Sequence, residues 1–315
     1  QNRTLSSSVA KPFKDIGYAT SFITGGEMGW RSLDKFVYKQ YFDNIEGGSA
    51  LKKMYPNATN CEWGVHDEFT FKRIHELLKN SNGKPQFVVG FTISNHSPYE
   101  TPEDYKQYPL TITEEIKSRL KSSPEIANKN LLAYQYSNSC LGQFINEIKN
   151  SSLGENTIIA ITGDHTNNQL FEFNDKDLLK KYAVPFILYV PEKYKPTHAV
   201  DTKRFGSHKD IFPTIFNLAL SNATYLNTGA NLLSNGKDNN FGVYCFDMSM
   251  SSSGCVDFQG SRLSYQWETD STKILLPLGP QSNAKLDSLY LNARAYIASM
   301  KYFIMNELKS KKVGE

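Results

Sequence analysis

The sequence predicts an α/β fold in which a mostly parallel central sheet is flanked by helices. Three short runs, at positions 87–93, 157–162 and 184–190, are rich in β-branched and aromatic residues and have the composition of buried strands. Between them lie longer segments whose apolar residues recur every three or four positions, as on one face of a helix. Strands that alternate with helices are typical of a sheet covered on both faces.

Two helices can be placed from their apolar stripes, one over about residues 65–80 and the other over about residues 128–149. The first begins with Asp67 and Glu68, and acidic residues in a first turn interact favourably with the helix dipole. We therefore interpret the neighbouring His66 as a helix-start residue rather than a ligand.

A polar segment rich in Asn, Gly and Ser, at positions 221–240, divides the chain. We place the α/β core at residues 1–235 and a smaller C-terminal subdomain at residues 236–315. In the latter, the runs 263–268 and 272–277 predict a β-hairpin, followed by a helix over about residues 284–308.

Composition favours one large domain and excludes some functions. The chain has 315 residues, and its 35 basic and 32 acidic residues are interspersed, so no basic stripe indicates nucleic acid as a partner. The sequence contains neither a signal peptide nor an apolar run of eighteen or more residues, so the stretch given should be soluble.

The positions of the cysteines favour a disulfide, of the kind formed in an oxidising compartment, over a metal site. Cys245 and Cys255 flank a short loop of mostly polar and small residues, for which we predict a disulfide. Cys61 and Cys140 are far apart in the sequence and could be paired or free. No two cysteines have the close spacing of a zinc motif.

Polar residues follow the ends of the predicted strands. Asp164 and His165 come directly after Gly163, where the 157–162 run stops, and His96 follows the 87–93 run. His208 lies one loop beyond the third run. Ligands bind at the carboxyl ends of strands in open α/β sheets, and an adjacent carboxylate and imidazole suit Zn²⁺ or Mn²⁺.

In their order along the chain, these segments resemble the sulfatase branch of the alkaline phosphatase superfamily, and within it the lipoteichoic acid synthase and phosphoglycerol transferase group. The resemblance implies an alkaline phosphatase-like fold. It rests on the following residues: Gly17-Tyr18, Thr24-Gly25-Gly26, Trp30-Arg31, Asn95-His96 before Ser-Pro-Tyr, Gly163-Asp164-His165, and His208 with Asp210, Pro213 and Thr214.

The resemblance also implies a site. Such enzymes use a threonine nucleophile on one divalent ion, which here would be Mn²⁺, Zn²⁺ or Mg²⁺, and Asp164 and His165 match two of its ligands. His96 matches a residue that hydrogen-bonds the substrate phosphate, and His208 would line or back the same pocket.

A second implied contact is with the phosphoglycerol, which Trp30 and Arg31 would bind. An arginine suits phosphate because its fork donates two parallel hydrogen bonds. The two residues are adjacent here, whereas one residue separates them in the lipoteichoic acid synthases.

The first strand of the family, with its acidic ligand and nucleophile, has no counterpart near the start of this sequence. Thr4 is the earliest threonine, and no strand-like run leads into it. We therefore expect this chain to be the carboxyl-terminal part of a catalytic domain, inactive alone, with the nucleophile and a membrane anchor further upstream.

The function implied for the parent protein is extracytoplasmic transfer of phosphoglycerol from a phospholipid headgroup to an envelope glycan or lipid, at the outer face of the membrane or in the periplasm. Three alternatives stay open: a sulfatase, a phosphoethanolamine transferase, or a non-catalytic relative that binds a polyanion. The residues after Asn95 differ from the Ser-His-Gly-Pro-Thr run expected of phosphoethanolamine transferases.

Overall fold

The computed structural model describes residues 3–167, 169–236, 240–244, 247–258, 263–269, 274–278 and 283–310. Helices and strands are mixed along this part of the chain, which confirms the predicted class of fold. None of the helices found there combines the length and the hydropathy needed to span a bilayer.

The strands and helices have the following bounds. The strands are β1 Ala19–Thr24, β2 Asn44–Glu46, β3 Asn60–Cys61, β4 Gly64–Val65, β5 Gln86–Phe91, β6 Ile159–Thr162, β7 Phe186–Tyr189, β8 Phe241–Tyr244, β9 Met248–Ser251, β10 Gly254–Asp257, β11 Ser264–Trp267 and β12 Leu275–Leu278. The helices are α1 Ala10–Asp15, α2 Leu33–Val37, α3 Gly48–Met54, α4 Asp67–Lys79, α5 Glu114–Lys117, α6 Pro124–Lys149, α7 Leu178–Tyr182, α8 His208–Ala219 and α9 Ala284–Ser310.

Strands β2, β1 and β5 form a parallel sheet in that order. Thr24, the last residue of β1, pairs in register with Phe91, the last residue of β5. The loops that follow these two strands therefore begin side by side at one edge of the sheet.

Helices cover both faces of this sheet. On one face, Ile23 of β1 belongs to a buried cluster with Ile74 of α4 and Ile148 of α6. On the other, Phe13 of α1 stacks on Phe87 of β5 with ring centroids 4.1 Å apart. This layering is what the alternation of strands and helices predicted.

Strands β6 and β7 form a separate antiparallel pair, in which Ile159 lies opposite Tyr189. In the described part of the chain this pair has no ladder to the parallel sheet, although Ile159 packs against the same buried cluster. The predicted sheet was mostly parallel and its strands were expected to be buried. The antiparallel direction of β7 departs from the first expectation, and the exposed residues of β6 and β7 depart from the second. An apolar run specifies neither the direction of a strand nor the elements that cover it.

Helices α4 and α6 confirm the two predicted stripes. Helix α6 begins four residues earlier than the stripe indicated, because Ser123 caps it. The Ser123 hydroxyl accepts a hydrogen bond from the Ile126 amide at 3.3 Å, and Pro124 follows at the first helical position.

The C-terminal part contains the predicted hairpin, β11–β12, and the predicted helix, α9. The hairpin belongs to a larger antiparallel sheet with the order β12-β11-β10-β9-β8. Leu286 and Leu289 of α9 pack against Val256 of this sheet. Strands β8 to β10 escaped prediction because each has only four residues, and Gly, Ser or Asp interrupts the apolar residues.

The predicted disulfide between Cys245 and Cys255 is wrong for this structure. Cys245 lies outside the described residues, and Cys255 carries a buried free thiol. Cys61 and Cys140 are also free. A short loop makes a bridge sterically accessible, but strand pairing directs Cys255 instead against Met250 and Tyr265.

Candidate functional site

The loop after β5 presents His96 at the carboxyl edge of the sheet. The His96 ring is exposed, and its Nδ1 lies 2.9 Å from the Ser97 carbonyl oxygen. Because a carbonyl oxygen can only accept, Nδ1 carries the proton, and Nε2 is the unprotonated nitrogen of the neutral ring. That nitrogen is the one available to a substrate.

The loop after β6 presents Asp164 and His165 together. Both side chains are mainly exposed, and the carboxylate Oδ2 of Asp164 lies 3.5 Å from Nε2 of His165. Nδ1 of His165 lies 2.9 Å from the Thr166 carbonyl, so it carries the proton and leaves Nε2 with a lone pair. A metal-binding histidine commonly has this arrangement, with its other ring nitrogen donating to a backbone carbonyl.

These two side chains fit half of a divalent-metal site. Among the described residues, no three side chains of His, Cys, Asp or Glu stand close enough together to hold a metal ion. A carboxylate oxygen and an imidazole nitrogen are both donors that zinc and manganese accept. Further ligands would have to come from elsewhere.

His208 contacts the same loop from the start of α8. Its Nε2 lies 2.8 Å from the Gly163 carbonyl, so Nε2 carries a proton that it donates to the end of β6. Ser207 and Asp210 form a capping box that fixes this helix start. The described contact is with the backbone under the Asp164 loop, and contact with a substrate stays a prediction.

The loops after β5 and β6 meet through their side chains. Nδ2 of Asn167 donates to the Tyr99 hydroxyl at 3.3 Å. The segment that bears His165 is thus joined to the segment that bears His96, and both stand at the carboxyl ends of their strands.

Trp30 and Arg31 lie in the loop after β1, the strand paired with β5. The Arg31 guanidinium carbon is 5.1 Å from the centre of the Trp30 ring, and Trp30 is 43% exposed. Arg31 and Ser32 have positive φ values of 45° and 59°. Such backbone strain in residues other than glycine is concentrated at ligand sites.

A turn that sequence reasoning treated only as a helix start connects these loops. The Trp63 carbonyl accepts from the Glu27 amide at 3.1 Å, and the Trp63 ring stands edge-on to the His96 ring at 4.8 Å. His66 is the residue directly before α4, as predicted, and its side chain makes no capping hydrogen bond. Its ring is buried, with Nδ1 3.0 Å from the Thr59 hydroxyl. The signal that could have identified the turn was the tryptophan before the helix, a large ring in a polar segment.

Thr4 follows a residue that is bonded to the segment before β2. The carbonyl of the preceding Arg3 accepts from the Gln40 side chain at 2.9 Å, and Gln40 comes four residues before Asn44, the first residue of β2. The loops that carry His96 and Asp164 instead follow the carboxyl ends of β5 and β6.

Comparisons with known proteins identify the class. The sulfatase family model matches residues 2–221, and the chain belongs to that family. The chain is 27% identical over 175 residues to the lipoteichoic acid synthase-like protein YvgJ of Bacillus subtilis, covering 51% of this chain and 26% of that protein. It is 26% identical over 229 residues to phosphoglycerol transferase I of Xanthomonas campestris, covering 70% of this chain and 30% of that protein.

Solved structures agree on the fold. An alkaline phosphatase superfamily protein of Vibrio parahaemolyticus aligns with a TM-score of 0.71 and 25% identity over 96% of this chain and 71% of that one. The lipoteichoic acid synthase LtaP of Listeria monocytogenes aligns with a TM-score of 0.76 and 16% identity over 98% of this chain and 74% of that one. The fold is therefore alkaline phosphatase-like, as predicted. The chain spans less than a third of the length of the two sequence relatives.

Proposed function

We propose that the protein to which this chain belongs is a metal-dependent phosphoglycerol transferase. It would move phosphoglycerol from a phospholipid headgroup to an envelope glycan or lipid, outside the cytoplasm and at a membrane. The observation that carries the proposal is that the unprotonated Nε2 of His165 lies 3.5 Å from the Asp164 carboxylate, so that both could bind one ion. The names of the two sequence relatives support the reaction class.

Each residue has a distinct role in this proposal. Asp164 and His165 would hold the ion, and the chemistry supplied by such an ion when bound is a lowered hydroxyl pKa and a polarised phosphoryl oxygen. A protonated His96 would keep its Nδ1 bond to Ser97 and direct Nε2–H at a phosphoryl oxygen. The Trp30 ring and the Arg31 guanidinium would bind the glycerol phosphate.

The remaining parts of the site would come from a strand outside this sequence. In the described part of the chain, β5 pairs only with β1 and β6 pairs only with β7. Each of β5 and β6 therefore has one edge without a partner strand in the described part of the chain. Val88 of β5 and Ile159 of β6 pack against the same core cluster. Edge strands present unpaired backbone groups, so we propose that a strand between them supplies the threonine nucleophile and an acidic ligand.

The test uses the parent protein, with metal content and release of glycerol phosphate from phosphatidylglycerol measured for each variant. Asp164→Ala and His165→Ala should lose the metal and the activity together. His96→Ala should retain the metal but react about 10²–10³-fold more slowly, as expected on loss of one donor to the developing charge. His75→Ala, at a partly buried histidine of α4 whose Nδ1 lies 3.8 Å from a Glu147 carboxylate oxygen of α6, is the matched control and should change neither quantity.

The outcomes separate the alternatives. A polyanion-binding relative would lose affinity for its glycan in Trp30→Ala and be indifferent to His165→Ala. A sulfatase or a phosphoethanolamine transferase would fail to release glycerol phosphate while turning over a sulfate ester or phosphatidylethanolamine. Full activity of His165→Ala would refute the metal role. The chain by itself should bind metal weakly and show no turnover, because two ligands leave most of the coordination sphere to water.

A further inference from the structure

The segment that runs from the β3–β4 turn to the first residue of α4 is bonded to the loop that carries His96 at several points. The Trp63 indole N–H donates to the Ser97 carbonyl, and the Asp67 carboxylate accepts from the Ile93 and Ser94 amides. We propose that Trp63 and Asp67 are positioning residues, which fix the orientation and the tautomer of the His96 imidazole. The inference rests on the proposed function only for the catalytic consequence, because the tautomer can be measured without turnover.

Asp67 fixes the backbone beneath His96. It is fully buried, and its Oδ1 lies 2.7 Å from the Ile93 amide nitrogen and 3.1 Å from that of Ser94. These two amides lie in the loop that follows β5. In return, the Asp67 amide donates to the Ser94 hydroxyl at 3.0 Å.

The other carboxylate oxygen ties this arrangement to the core. Oδ2 of Asp67 accepts from the Ser137 hydroxyl of α6, so the carboxylate joins α4, α6 and the end of β5. The Ile93 carbonyl then accepts from the His96 amide at 3.1 Å in a tight turn. Buried polar groups that are fully bonded in this way rigidify a segment.

Trp63 fixes the ring itself. The Ser97 carbonyl accepts from both the Trp63 indole and Nδ1 of His96, and each donor occupies one lone pair. The indole thereby holds the carbonyl that selects the Nδ1–H tautomer. The edge-on contact between the two rings, at 4.8 Å and 77°, limits rotation of the imidazole. Together they direct Nε2 away from the protein.

The first measurement is the tautomer of His96 in the 315-residue chain. Long-range ¹H–¹⁵N spectra distinguish a protonated Nδ1 from a protonated Nε2, and His96→Gln assigns the signals. The wild-type ring should be in the Nδ1–H form at neutral charge. Trp63→Ala should convert the signals to a mixture of both tautomers, and Trp63→Phe, which keeps a ring but no donor, should fall between. Trp30→Phe is the matched control and should leave the spectrum unchanged.

The second measurement is kinetic and uses the parent protein. Trp63→Phe should lower kcat about 10–100-fold with KM and metal content near wild type, as for other partners that orient a functional imidazole. Asp67→Asn retains an acceptor for the Ile93 and Ser94 amides and should stay within a few-fold of wild type. Asp67→Ala loses that acceptor and should resemble Trp63→Phe.

The two measurements test separate claims, and each claim can be refuted without the other. An Nε2–H tautomer in the wild type, or a His96 spectrum that Trp63→Ala leaves unchanged, would overturn the positioning role whatever the enzyme does. Intact activity in Asp164→Ala would refute the proposed metal chemistry and leave the tautomer result standing. If Asp67→Ala does not fold, the Trp63 variants still decide, because Trp63 is only partly buried.

Discussion

Replacing Arg73 by methionine should destabilise the fold at pH 7.5 by breaking its ion pair with Glu46. Nε of Arg73 lies 2.6 Å from Oε2 of Glu46, and Nη2 lies 2.8 Å from Oε1, so the pair is bidentate. It joins α4 to the end of β2, beside Gly48, whose amide donates to the Gly26 carbonyl in the loop after β1 at 2.8 Å. Methionine keeps the apolar stem of the arginine but removes the charge and both donors.

The magnitude follows from burial. The Glu46 side chain is 9% exposed and that of Arg73 is 20% exposed. Leaving a fully buried charge without its partner costs about 3–5 kcal/mol, and the residual exposure, with the bond that Asn44 donates to Glu46, reduces the expected loss to about 2–3 kcal/mol. Lys117→Met removes an exposed ion pair with Glu114 and should cost less than about 0.5 kcal/mol.

The loss should also depend on pH. Burial would raise the pKa of Glu46, but hydrogen bonds from Arg73 and Asn44 and the arginine charge together lower it below its ordinary value. In the wild type, the stabilisation that comes from ionised Glu46 is fully present above the ordinary pKa of a glutamate. It is lost as the pH falls through the lowered pKa of Glu46 in the folded protein. Without Arg73 the effect of burial should dominate and raise the pKa of Glu46. Protonation of Glu46 at low pH then removes the unpaired buried charge from the variant. The difference in free energy of unfolding between wild type and Arg73→Met should therefore be smaller at pH 5 than at pH 7.5.

Urea unfolding followed by circular dichroism measures both quantities. The reasoning fails if Arg73→Met lies within 0.5 kcal/mol of wild type at pH 7.5, or if its loss is the same at pH 5. A double-mutant cycle with Glu46→Gln should return a coupling energy of about 1–3 kcal/mol, because the two residues are in contact.

Two further predictions concern the turn and the thiols. Gly64→Ala should lower the free energy of unfolding by about 2–4 kcal/mol, because φ is +146° and an added Cβ would lie 2.0 Å from the Gly25 carbonyl oxygen. Gly142→Ala, in α6 with open space around it, should instead stabilise the fold by up to about 1 kcal/mol. Thermal unfolding of both variants measures these changes. Burial raises the pKa of Cys140 to about 11 and also raises that of the Cys255 thiol, so in a Cys61→Ser/Cys245→Ser variant both thiols should react slowly with a disulfide reagent at pH 7.5 and rapidly in denaturant. Rapid reaction of the native variant would contradict this burial.

Much of the fold and several candidate site residues could be predicted from local patterns. The apolar runs of β5 and β6 end a few residues before His96 and Asp164, so composition alone was enough to place these side chains after strands. The stripe of α6 was visible because its apolar residues repeat with the helical period. Each of these signals involves residues that are close together in the sequence, so it can be recognised without the tertiary structure.

The sequence by itself thus determined which side chains stand at the ends of strands, and the resemblance of their order to the sulfatase family. Only the tertiary structure decided that β7 runs against β6, that Trp63 contacts His96, and that His208 donates to the backbone of Gly163. These contacts join residues that are 24 to 45 positions apart in the sequence. Local propensity acts over a few residues and carries no information about such partners, which are selected by the packing of whole helices and strands.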